Sequence, residues 1–116
     1  MTISAGVALA EVDLSDFDDE VMRAMDFANQ DLELSIGAKN TQTATRDASA
    51  LAETYQWADE YFTRKGGADD AVRIAKSGRS LVTKLEADLA RNDFEAAQQT
   101  QRDTAANCKT CHDIYK

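Results

Sequence analysis

Not one proline occurs in the 116 residues of this chain, and only five glycines do. Proline breaks helices and glycine weakens them, so a chain almost free of both can run in long uninterrupted helices. The spacing of the apolar residues settles the class, because they recur at three- and four-residue intervals and do not alternate. Leu14, Phe17, Val21, Met25, Ala28, Leu32 and Ile36 form a first stripe. Ala44, Ala48, Leu51, Tyr55, Ala58 and Phe62 form a second, with Trp57 and Tyr61 flanking it as packing aromatics. Ala71, Ile74, Ala75, Gly78, Leu81, Val82, Leu85 and Leu89 make a third. Phe94, Ala97, Gln101, Thr104, Ala105, Cys108, Cys111 and Tyr115 make a fourth.

The punctuation between the stripes agrees with four helices. Ser15-Asp16-Phe17-Asp18 reads as a capping box opening the first, with acids crowding the positive end of the helix dipole. Gly37 predicts its end near Lys39-Asn40. The second is expected from about Thr43 to Phe62, followed by the cations Arg64 and Lys65 and the stop Gly66-Gly67. Ala68-Asp69-Asp70 starts the third. Asn92-Asp93-Phe94-Glu95 starts the fourth, with Asn92 as N-cap. The expectation is an all-α chain: one antiparallel four-helix-bundle domain over 11–116, its helices about 20 residues and roughly 30 Å long. Residues 1–10 read either as the remnant of a signal peptide, ending in an Ala8-Leu9-Ala10 cleavage-like pattern without a basic start, or as a disordered tail. That run is too short to span a bilayer.

Gly78 interrupts the third stripe at a cost of roughly 1 kcal/mol relative to alanine. Its place on the apolar face predicts close approach of another helix or of a bound group, rather than a tolerated surface glycine. The charge balance, 13 basic against 21 acidic residues, gives a net charge of −8. Such a surface repels nucleic acid and anionic lipid, and favours a basic protein partner.

The chemistry is concentrated in Cys108-Lys109-Thr110-Cys111-His112. Two thiols separated by two residues, with histidine directly after the second, is the attachment pattern of c-type haem. On a helix, residues three and four apart share a face, so Cys108, Cys111 and His112 project toward one ligand. The thiols are expected to form thioethers with the haem vinyl groups and His112 to be the proximal iron ligand. Other readings lack parts. A thioredoxin-like pair would follow a strand and open a helix, and no strand pattern precedes Cys108. A structural zinc site needs four ligands, whereas the chain has two cysteines and one histidine in all. The expected cofactor is one covalent haem c on the C-terminal helix. Attachment of this kind is associated with the periplasmic side of bacterial membranes.

With the motif on the last of four helices, and Tyr115-Lys116 behind it, the chain resembles the class II c-type cytochromes. These are the cytochrome c′ group and its methionine-ligated, low-spin relatives. In that family an aromatic and then a basic residue follow the motif. The resemblance implies a bundle with the haem between its helices, Lys116 close to the proximal histidine, and a homodimer through the first two helices, as in many relatives. It also divides the function. One branch places a first-helix methionine on the iron and carries electrons. The other leaves the iron five-coordinate and binds nitric oxide or carbon monoxide. Met22 and Met25 both lie in the right helix. Periodicity favours Met25, at the centre of the first stripe, over Met22 at its flank. The leading expectation is therefore a periplasmic single-electron carrier with a His/Met-ligated iron, serving redox partner proteins with basic docking surfaces. The alternative is a gas-binding haem protein. No enzyme is expected, because the chain has no second histidine for acid–base work over the iron.

Overall fold

The structure, a computed structural model, describes residues 12–115. The tail reading for 1–10 and Lys116 lie outside the described residues. Among these the chain is all-helical, with α1 Asp19–Gly37, α2 Thr41–Lys65, α3 Asp69–Ala90 and α4 Phe94–Tyr115, and no strand. None of the helices is long and apolar enough to cross a membrane. Each helix packs on two neighbours, α1 on α2, α2 on α3, α3 on α4 and α4 back on α1. Thr41 at the start of α2 meets Asn92 just before α4, and Tyr115 at the end of α4 meets Phe62 near the end of α2. The short connections therefore turn the chain back on itself, as expected of a four-helix bundle.

The stripes become the core. Leu32, Leu51, Leu85 and Leu89 are sealed from solvent, and Met25, Ala28, Ile36, Ala48 and Val82 pack with them. Full burial of each such leucine contributes about 1.5–3 kcal/mol. Two buried carboxylates tie neighbouring helices together. Asp59 of α2 accepts from Arg79 Nη1 at 2.9 Å and Lys76 Nζ at 3.2 Å on α3. Asp88 of α3 accepts from Thr100 Oγ1 of α4 at 2.9 Å and from Arg91 Nη2 at 2.8 Å.

The helix starts differ from the capping boxes read in the sequence. Asp18, not Ser15, caps α1, accepting the Glu20 amide at 2.9 Å, because residues 12–18 are held off the helix axis by contacts described below. Leu14 and Phe17 consequently precede α1 instead of lying on it. At α4 the cap is Asp93, accepting the Ala96 amide at 3.1 Å, while Asn92 takes a left-handed conformation (φ 57°) and accepts from Thr41. Asn tolerates that region, so it serves the turn and its neighbour serves the helix. Gly37 is the last residue of α1, and Lys39 (φ 57°) makes the left-handed step.

Asp47 of α2 is 4% exposed, and its Oδ2 has no partner. Burial first, and then the facing Asp31 carboxyl of α1, push it up to about 6. The folded chain thus holds a proton that the unfolded chain releases near pH 4. Stability from this site is full below about pH 4 and declines as pH rises through 6. Asp47→Asn, which keeps the shape and removes the charge, is expected to stabilise the protein at pH 7 on the order of 1–3 kcal/mol. Urea unfolding at both pH values checks this, and the gain should vanish at pH 4.

Candidate haem site

One end of the bundle is packed with leucines, whereas the other combines alanines with a ring of aromatic side chains. Ala58, Ala71 and Ala75 line a wall there, and a cavity of about 630 Å³ opens between the end of α2, the starts of α1 and α3, and the end of α4. Protein interiors leave few voids larger than a water molecule. This volume instead falls in the range of about 300–1,000 Å³ typical of small-molecule and cofactor sites.

The last turns of α4 supply the cavity's chemistry. The helix continues to Tyr115, with an exposed Lys109–Asp113 pair at 3.0 Å and the Thr110 hydroxyl donating to Ala106 O on its surface. Helical spacing then carries Cys108, Cys111, His112 and Tyr115 to one side, and all four line the cavity. Both cysteines are free thiols. Burial pushes the Cys108 thiol up, partly offset by the Tyr55 hydroxyl. Burial, then the nearby Cys108, push Cys111 up to about 11. A redox-active pair needs the opposite, a thiol lowered at a helix N-terminus. These thiols sit at a C-terminus and stay protonated at neutral pH.

Met22 and Met25 of α1 also line the cavity, from neighbouring positions on the helix. Met25 is 5% exposed and packs into the leucine core. Met22 reaches further, and its Sδ lies 3.3 Å from His112 Nε2. Of the two, Met22 is therefore the one that faces the imidazole. Gly78 does not line the cavity. A Cβ there would overlap the Tyr55 ring, and it is that ring whose other parts form cavity wall. The close approach expected at Gly78 is thus to an aromatic of α2.

Residues 12–18 close one side, and their role was not legible in the sequence, where Ser15 to Asp18 read as the opening of a helix and Leu14 and Phe17 as part of its stripe. Val12, Leu14 and Phe17 line the cavity. Phe17 packs edge-on against Trp57 and Tyr61, each with ring centroids 5.0 Å apart. Asp16 fastens the segment by accepting from Tyr61 Oη at 2.6 Å and Lys65 Nζ at 2.9 Å. Tyr115 stands against Phe62, the ring that Phe17 also contacts, and its buried hydroxyl has no hydrogen-bond partner among the described residues. Asn107 was also missed. It lines the cavity and donates to Ile74 O at 3.0 Å, and the only signal for it in the sequence is its place next to Cys108.

The residues present fit a covalently held haem. Two neutral thiols, an imidazole and a thioether converge on one apolar cavity. Comparison with known proteins finds no matching family model, no matching curated protein and no matching solved structure.

Proposed function

We propose that the chain is a class II c-type cytochrome, a periplasmic carrier of single electrons with one haem joined to Cys108 and Cys111. The observation that carries this reading is the convergence of the two thiols, His112 and Met22 on a single apolar cavity. Bound there, the haem would supply a one-electron couple. His112 would be its proximal ligand, and Met22, facing that imidazole, is the first choice for the sixth position. Met25 stands second. The Met22 side chain is half-buried and flexible, so its thioether would be free to adjust toward a bound group. A thioether ligand favours the reduced iron and leaves no open coordination position. The apolar walls and the 12–18 segment would keep water from the group. The net charge of −8 favours a basic partner, with docking that weakens as salt rises. A homodimer through α1 and α2 belongs to the same reading. Phe27 and Leu34, 67% and 71% exposed two turns apart on α1, offer apolar area for it.

The visible spectrum tests the proposal. Purified from a host that attaches c-type haem, the protein should show a low-spin spectrum in both oxidation states. It should also show a sharp α-band on reduction and no response to carbon monoxide. A high-spin spectrum that shifts under the gas would replace the electron carrier by a gas-binding haem protein. Absence of covalent haem would remove both.

A further inference from the structure

Tyr55 carries the one hydroxyl of α2 that faces the cavity beside the attachment motif. Its ring is 3% exposed and seated on Gly78, where no side chain fits, so the direction of its hydroxyl is fixed by packing. Oη lies 3.4 Å from Cys108 Sγ and 3.5 Å from Asn107 Nδ2. Asn107 Nδ2 also donates to Ile74 O of α3 at 3.0 Å, so the amide is anchored across the helix pair. A phenylalanine would fill the same space. The hydroxyl therefore adds only its polarity, which is costly in an apolar wall unless it is paired.

With a thiol at Cys108, either group could be the donor. A thioether removes the ambiguity, because its sulfur has lone pairs and no hydrogen. Asn107 can only donate through Nδ2, so the chain runs one way, from Asn107 N–H to Tyr55 Oη and from Tyr55 O–H to the sulfur. Cys111, by contrast, has no hydrogen-bond partner among the described contacts, and the two sulfurs are unequal.

We infer that Tyr55 is a positioning residue whose hydroxyl, oriented by Asn107 and by the ring's seat on Gly78, donates a hydrogen bond to the Cys108 sulfur and favours the reduced state of the group that sulfur holds. This rests on the haem reading above. A donor aimed at an atom bonded to the macrocycle stabilises added electron density, and hydrogen bonding around a redox centre is one of the levers by which a protein tunes it.

The test compares haem-loaded wild type with Tyr55→Phe. Tyr55→Phe should keep both thioethers, by intact mass, and the same spin state, because ring and ligands are unchanged. Its equilibrium constant for reduction against a fixed mediator should fall about two- to fivefold, part of the net worth of one hydrogen bond. In the reduced wild type, proton NMR should show a slowly exchanging hydroxyl resonance close to the Cys108 thioether methyl, absent from Tyr55→Phe. An unchanged reduction equilibrium, or no such resonance in the wild type, overturns the role of Tyr55 while leaving the cytochrome intact. A wild type without covalent haem overturns the cytochrome reading itself, and this inference with it.

Discussion

Gly78→Ala is expected to destabilise the protein by about 1–3 kcal/mol, although alanine is the better helix former. Two effects oppose each other. Replacing glycine inside α3 gains up to roughly 1 kcal/mol of helix propensity. Against that, the new methyl group would fall onto Cδ1, Cε1 and Cζ of the Tyr55 ring. The ring can yield only toward the cavity it lines, and only by giving up the contacts of its hydroxyl with Asn107 and Cys108. Overpacking of this kind forces backbone shifts, and here it wins. Urea unfolding of Gly78→Ala measures the loss. Repeating it in a Tyr55→Leu background isolates the cause. With the ring gone, Gly78→Ala should become neutral or stabilising by up to about 1 kcal/mol. A loss of the same size in both backgrounds would mean that the ring is not what excludes a side chain from position 78.

Gly78 also shows where sequence reading reaches and where it stops. A glycine on an apolar stripe announces a close approach, but not by what; only packing reveals that Tyr55 is the neighbour and that the cavity lies beyond it. The four stripes themselves were legible, since 3.6-residue periodicity reports directly which face of a helix is buried. The helix starts were less so. Ser15 and Asp18, like Asn92 and Asp93, all have capping side chains, and local preference alone does not choose between them. For α1 the choice is made at long range, by Asp16 on Tyr61 and Lys65 and by Phe17 in the aromatic cluster, which hold residues 12–18 across the cavity. The alignment of Cys108, Cys111 and His112 was legible because three- and four-residue spacing on one helix is a local property. Their meeting with α1 is a tertiary property, and there the periodicity favoured Met25 while Met22 faces His112.

On the proposed haem reading the two methionines divide burial from ligation, and substituting each by alanine in the haem-loaded protein should give opposite results. Met25 is 5% exposed and packs with Leu32, Leu51 and Leu85, so Met25→Ala should cost about 2–5 kcal/mol of stability, as a core truncation. Its haem should nevertheless stay low-spin and indifferent to carbon monoxide, since the side chain facing His112 is untouched. Met22→Ala should do the reverse. Met22 is only half-buried, and without a thioether opposite the imidazole the iron should become high-spin and bind the gas when reduced. The reduction equilibrium should also move against the reduced state, because the ligand that favours it is gone. If Met25→Ala opens the iron and Met22→Ala does not, the centre of the stripe supplies the ligand and the contact of Met22 with His112 is packing alone. If neither does and the iron stays low-spin, another group holds the sixth position; if the wild type itself already binds the gas, both methionines are core and the protein belongs with the gas-binding branch. A hydrophobic stripe marks what a helix hides from water, whether against another helix or against a cavity, and both methionines line the cavity. What distinguishes Met22 is its contact with His112, which periodicity alone does not report.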